Sequence, residues 1–268
     1  MSLRINTNVE AFNAHRNLSG TETKLAMSME RLSSGYRINR AADDAAGLAI
    51  SERLKAQIGG LGQAQRNAQD AVSLVQTAEG SLDQVHAMLG RIRDLAVEFK
   101  NGTLSTTDQQ SIQSEVNQLA SEIERIGAAA SFNGIQLLSS ATSISFQVGA
   151  NDGESISVST ISLGSTLGTA FYSLSASGTS DISEIDAAIN SVSAQRSTFG
   201  AVENRLTYTL DNAAIYEENL TASESRVRDV DMASEMVNFT KLQILQQAGT
   251  SMLAQANTSS QGVLSLLR

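Results

Sequence analysis

From residue 44 to residue 100 the chain runs without a proline, and its apolar residues keep mostly three-four spacing. Leu54, Ile58, Leu61, Ala68, Val72, Val75, Leu82, Val85, Leu89, Ile92 and Phe99 make one stripe of helical period. At 1.5 Å per residue such a helix extends on the order of 80 Å. That is too long for one globular core to cover, and it suits a coiled coil or a fibre. The rest of the chain agrees, because its 268 residues hold no Pro, no Trp and only 4% aromatics. Ordinary usage puts proline at about 5%. Compact cores lean on large side chains, each contributing about 1.5–3 kcal/mol on burial. A chain poor in both packs through narrow stripes of Leu, Ile, Val and Met.

The same spacing predicts a first helix over residues 6–32, with Leu18, Leu25, Met29 and Leu32 as its stripe and Ser33-Ser34-Gly35 as a left-handed stop. Asn101-Gly102 ends the long helix. Ser105 and Asp108 then open a third helix, residues 105–128, as a capping box. The turn is short, so this helix folds back antiparallel on the second. Gly59, Gly60 and Gly62 weaken the long helix locally and read as points of close helix packing. Within residues 132–171 the period changes to two. Ile144, Phe146 and Val148 alternate with polar residues, Asn151-Asp152-Gly153 follows, and Ile156, Val158 and Thr160 return, which is a β-hairpin pattern. Residues 162–180 form a serine- and glycine-rich link. Helical spacing resumes over residues 183–223 and again over 232–267.

Read inward from either end, the chain gives a terminal helix, a charged joint and a long helix, with the hairpin at the turning point. One joint carries Arg31, Arg37 and Arg40 with Asp43 and Asp44; the other carries Arg226 and Arg228 with Asp229 and Asp231. An out-and-back path sets the joints side by side, where opposite charges align segments or neighbouring chains. Exposed ion pairs contribute only about 0–1 kcal/mol each, so their value is register. Asp43 or Asp44 also caps the long helix and complements its dipole. The expected fold is mainly α, an elongated antiparallel helical rod or coiled-coil bundle with one small β-hairpin region. A terminal-helix domain takes residues 1–43 and 224–268. A rod-like domain takes residues 44–223, with helices 44–100, 105–128 and 183–223 and the hairpin region 132–171.

A net charge of -9 argues against a nucleic-acid partner, which needs a basic stripe. Lys24, Lys55, Lys100 and Lys241 are too scattered for a polybasic membrane anchor. No stretch approaches the roughly 18 apolar residues of a membrane span, and "MSLRINTNVEAF" lacks a secretory core. His15 and His86 are followed by Arg16 and Ala87, so no H-E-x-x-H zinc helix is present. There is no nucleophile elbow, and no lysine follows a serine by three positions. Gly60-Leu61-Gly62 continues to Gln65 and makes no dinucleotide loop. Catalysis needs convergent titratable groups, and none is legible. The reading is of no enzyme, no cofactor and no metal site.

What remains is the terminal stripes, Leu18, Leu25, Met29 and Leu32 at one end and Leu242, Leu245, Met252, Val263 and Leu267 at the other. Neither has enough large residues for a core of its own, which makes both candidates for self-assembly. "RINTN", "ERLSSGYRINRAADDAAGLAISERL", "QRNAQDAVSLVQTAEGSLDQVHAMLGRIRDLAVE" and the C-terminal "SMLAQANTSSQGVLSLLR" resemble bacterial flagellin, in the same order at both ends. The likeness is to a minimal form without the large outer domains. Ser259, Ser260 and Gly262 stand where many relatives carry a proline. The resemblance implies a subunit of the extracellular flagellar filament, a homo-polymer exported without a cleaved signal peptide. Implied partners are an export chaperone and the export apparatus, and hook-associated cap and junction proteins. It also implies a contact for a host toll-like receptor at Arg91, Leu95 and Glu115. A hook–filament junction protein, or a non-polymerising signalling or chaperone-type coiled coil, is the alternative.

Overall fold

The computed structural model of the chain describes residues 7–164, 174 and 181–266, and side chains as far as residue 258. Among these residues the helices are α1 Val9–Ser34, α2 Ala45–Phe99, α3 Thr106–Ala129, α4 Asp181–Arg228 and α5 Met232–Leu266. The strands β1 Ser131–Phe132, β2 Ile135–Gln136, β3 Ser143–Gln147 and β4 Ser155–Ser159 lie between α3 and α4. The molecule is mainly α, as its periodicity predicts. It divides into two compact units, Met1–Ala56 with Leu220–Arg268, and Gln57–Asn219.

In the second unit, α2 and α4 run antiparallel. Polar pairs trace the course: Gln65 to Glu217 at 2.6 Å, Gln76 to Glu203 at 2.7 Å, Glu79 and Asp83 to Arg196 at 2.9 and 3.0 Å, and Arg93 to Asp186 at 2.6 Å. As numbers rise along α2 they fall along α4. Beneath these pairs lies one core in which Leu82, Leu89 and Ile92 of α2 meet Val116 and Ile123 of α3 and Val192, Phe199 and Leu206 of α4, all buried. The α3 start is a complete capping box. Ser105 Oγ accepts from the Asp108 amide, and the Asp108 carboxylate accepts from the Ser105 amide and hydroxyl. The Ser105 hydroxyl, and then its amide, hold the Asp108 carboxyl below its ordinary value of 3.8.

The hairpin β3–β4 has the register that the alternation predicts, Ile144 opposite Val158 and Phe146 opposite Ile156. Its inner face, Ile156 and Val158, is buried. The Asn67 amide donates to the Gln147 carbonyl and the Gln195 amide to the Ser159 carbonyl, fastening the hairpin to both long helices. A second, shorter ladder pairs β1 with β2 through Asn133 and Gly134, both at positive φ (48° and 78°). That is the backbone of an Asn-Gly hairpin turn, which the sequence reading did not assign.

Two expectations differ from the structure. Gly60 does sit at a close approach, but a Cβ there would lie 3.0 Å from the Ala150 Cβ in the hairpin loop, not against a helix. Gly59 faces open space and Gly62 makes only ordinary contact. The helix expected to end at residue 223 continues to Arg228. Ser223, Glu224 and Ser225 are tolerated within it, and Arg226 and Arg228 in its last turn complement the helix dipole. The second joint is therefore only Asp229, Val230 and Asp231. The link at residues 162–180 lies mostly outside the described residues.

Candidate functional site

The first unit is built on α1 and α5, which lie antiparallel. Asn8 caps α1 by accepting from the Ala11 amide, and its side-chain amide donates to the Ala256 carbonyl at 2.9 Å. Farther along, Gly249 faces Leu18, whose Cδ1 would be 3.2 Å from a Cβ at that glycine. At the other end the Ser28 hydroxyl donates to Glu235 Oε1 at 2.5 Å, and Arg31 approaches the same carboxylate at 3.9 Å. Ser28 and Glu235 are both buried.

This geometry corrects part of the expected stripes. The seam on α1 is Ala14, Leu18, Thr21, Leu25, Ser28 and Leu32, and the seam on α5 is Glu235, Phe239, Leu242, Gln246, Gly249, Leu253 and Ala256. Leu18, Leu25, Leu32 and Leu242 belong to it. Met29, Leu245 and Met252 do not; they are 55%, 46% and 64% exposed, each displaced one residue from a seam position. They join Phe12, Val237 and Ile244 on surfaces that a two-helix layer has no further element to cover. The Val263 side chain and Leu267 lie outside the described residues. Between α1 and α5 a groove of about 720 Å³ is lined by Ala14, Leu18, Thr21, Ala248, Gly249 and Met252, among others.

The structure brings the two joints together by backbone pairing. The Arg37 amide donates to the Arg228 carbonyl at 2.7 Å and the Val230 amide to the Gly35 carbonyl at 3.0 Å. These close an antiparallel bridge between Tyr36 and Asp229. Gly35, at φ 76°, supplies the left-handed turn that ends α1 and lets the chain enter the bridge. Ile38, just beyond, is 1% exposed.

Among the described residues no side-chain ion pair joins the joint arginines to the joint aspartates. Arg37 donates to the Val227 carbonyl, Arg226 to the Ser223 hydroxyl, Arg40 to Glu30 at 3.0 Å and Arg228 to Glu52 at 2.8 Å. The Arg228 guanidinium also stacks 4.7 Å from the Tyr36 ring. Asp44 caps α2 by accepting from the Gly47 amide, and Asp231 caps α5 by accepting from Ala233 and Ser234. Asp43 accepts from the amides of Arg40 and Asn39. These bonds hold its carboxyl below the ordinary 3.8, with the charges of Arg31 and Arg40 adding to them. Glu30, Glu52, Glu235, Ser28 and Tyr36 are thus part of the joint, and the sequence reading did not single them out.

The third expected group lies in the second unit. Arg91 grips Glu115 through Nε and Nη2 at 3.0 and 2.7 Å, and the carboxylate raises the guanidinium's already high pKa. Both are exposed. Leu95 is not: at 2% exposure it is part of the core. An incoming protein therefore meets Arg91 and Glu115 but not Leu95. Residues four apart share a helix face only roughly, and here the core boundary passes between them.

Among the described residues no group of three or more His, Cys, Asp or Glu is placed to hold a metal, and no helix is long and apolar enough to cross a membrane. Residues 5–143 match the bacterial flagellin N-terminal helical region, and residues 182–267 the C-terminal helical region. A flagellin of Halalkalibacterium halodurans is 49% identical, with 98% of this chain and 99% of that one aligned. A flagellin of Bacillus subtilis is 46% identical over 99% and 100%. The crystal structure of Bacillus cereus flagellin superposes with a TM-score of 0.50 at 34% identity, covering 55% of this chain and 88% of that one. Two helical regions in the same order, and relatives matched end to end, make this chain a member of the bacterial flagellin family.

Proposed function

We propose that the chain is the self-assembling subunit of an extracellular flagellar filament that serves motility, polymerising through the outer faces of α1 and α5. It is a structural protein, not an enzyme. The observation that carries the reading is the pair of terminal helices whose Phe12, Val237, Ile244 and Met252 are all more than 60% exposed. A helix pair carrying this many exposed large apolar side chains is suited to covering by a partner, and in a homo-polymer the cover is another copy of the same pair. The inner-tube role falls to the terminal helices and their joints, and the outer-tube role to the unit Gln57–Asn219. A filament subunit of this kind travels through the flagellum's own export apparatus with an export chaperone, without a cleaved signal peptide. It then meets hook-associated junction and cap proteins. A host toll-like receptor would read Arg91 and Glu115, the accessible members of the third group.

The test is a Val237→Glu, Ile244→Glu double variant. Both side chains are exposed, at 71% and 63%, so the monomer keeps its helicity. Seeded polymerisation, followed by sedimentation and electron microscopy, is expected to be lost. Normal filaments from the variant would overturn the assignment of this face.

A further inference from the structure

Sulfur chemistry in this chain is confined to methionine, since it has seven Met and no Cys. Their placement is uneven. Met88 packs against the core of the second unit, whereas Met27, Met29, Met232, Met236 and Met252 are 41%, 55%, 47%, 50% and 64% exposed on the terminal helices. Four of the five cluster. Met27 and Met29 flank Ser28, and Met232 and Met236 bracket Glu235, the residues that join α1 to α5 through their buried hydrogen bond. One end of the helix pair is thus ringed by accessible thioethers, on the surface that the filament reading requires neighbouring copies to cover.

We infer that these methionines are a reversible oxidation site that gates assembly. A thioether is soft and apolar and adapts to irregular packing. Hydrogen peroxide transfers one oxygen atom to it, giving methionine sulfoxide as the peroxide is reduced to water. The product is polar and chiral and disrupts Met-rich interfaces; methionine sulfoxide reductases reverse the change. On the free subunit the sulfoxides remain in water and the fold is undisturbed, because Met27, Met29, Met232 and Met236 lie outside the α1–α5 seam and Met252, which lines the groove between the two helices, is 64% exposed. On assembly each must be buried without a designed partner, which weakens subunit addition by roughly tenfold for each one covered. Oxidised subunits are excluded from the growing filament until they are reduced.

The inference rests on the filament reading, and the experiment separates the two. Full-length monomer is treated with hydrogen peroxide, the sites of oxygen addition are mapped by peptide mass spectrometry, and seeded growth is measured beside an untreated sample. Met27, Met29, Met232, Met236 and Met252 are expected to oxidise at least tenfold faster than Met88. The critical concentration should rise at least tenfold with helicity unchanged, and the two epimer-specific methionine sulfoxide reductases, supplied with a dithiol that is oxidised to the disulfide as each sulfoxide oxygen leaves as water, should restore growth. A variant with Met27→Leu, Met29→Leu, Met232→Leu, Met236→Leu and Met252→Leu is expected to polymerise equally with and without peroxide. Undiminished growth of chain carrying the mapped sulfoxides would overturn the inference, as would equal sensitivity of the leucine variant. Failure of the untreated chain to grow filaments would overturn the filament reading, and this inference with it.

Discussion

Replacing Gly47 by alanine sets two effects of known sign against each other. Gly47 lies in the first turn of α2, where alanine ordinarily gains about 1 kcal/mol over glycine in helix propensity. In this position a Cβ would overlap the Asp44 carboxylate and lie 2.8 Å from Ile38 Cδ1. Both are ends of side chains, so they can move, but neither move is free. Asp44 is the N-cap and accepts from the Gly47 amide itself at 2.8 Å; losing a cap costs about 1 kcal/mol. Ile38 is 1% exposed and anchors the joint, and overpacking a closed site costs about 1–3 kcal/mol. The net expectation for Gly47→Ala is destabilisation by about 1–3 kcal/mol, despite the propensity gain. Gly59→Ala is the reference: it meets nothing within 4 Å, so it should stabilise α2 by about 0.4–1 kcal/mol. Native-state hydrogen exchange is the suitable assay, because a chain of two units need not unfold in one step. Faster exchange at Ile38 and through the first turns of α2 is expected for Gly47→Ala alone. If both variants stabilise alike, the close approach of Gly47 to the joint is wrong.

The other expected outcomes use the same local logic. The Asp43 carboxyl titrates below 3.8 in the folded chain, so it stabilises the joint above that pH and the contribution fades as pH falls through the lowered value. Exchange at the amides of Asn39 and Arg40 should quicken on that acid limb, and Asp43→Ala should show the fast rates already at neutral pH. Glu235→Ala strands the buried Ser28 hydroxyl and should cost about 1–3 kcal/mol, read as lost protection along α1, whereas Glu235→Gln should retain most of it. Leu95→Ala should destabilise the second unit by about 2–5 kcal/mol in urea, whereas Arg91→Ala, which removes only an exposed ion pair, should leave its unfolding midpoint nearly unchanged. Receptor signalling that falls with Arg91→Ala in a chain of unchanged stability would support the exposed pair as the contact. A loss confined to Leu95→Ala would point to the fold instead.

The long helices, their caps and the β3–β4 register were legible because each is set by contacts near in sequence. The α1–α5 seam was legible only to within one residue. A stripe chosen by hydrophobicity selects Met29, Leu245 and Met252, while the positions that touch are filled by Ser28, Gln246, Gly249 and Leu253. Strict alternation of fours and threes from Ala14 would have selected Ser28, but a serine draws no attention as a seam residue until its acceptor, Glu235, is known to be buried opposite. The β1–β2 hairpin is the contrary case. Asn133-Gly134 is a strong local turn signal, but strands of two residues show no alternation for a period to detect.

The joints show where local chemistry stops being sufficient. Every aspartate there that caps finds its partners within four residues: Asp44 at Gly47, Asp231 at Ala233 and Ser234, Asp43 at Asn39 and Arg40. Arg37 and Arg228 instead reach Val227 and Glu52, residues 190 and 176 positions away. A carboxylate on a short side chain is taken up by the nearest free amides, and so it is unavailable to an arginine of the opposite joint. Arg37 and Arg228, with longer reach, find acceptors across the bridge, whereas Arg40 and Arg226 settle on Glu30 and Ser223 of their own sides. Opposite charges at two joints therefore did not have to mean ion pairs between them. Backbone pairing holds the joints together, and the charges serve the helix ends on either side of it.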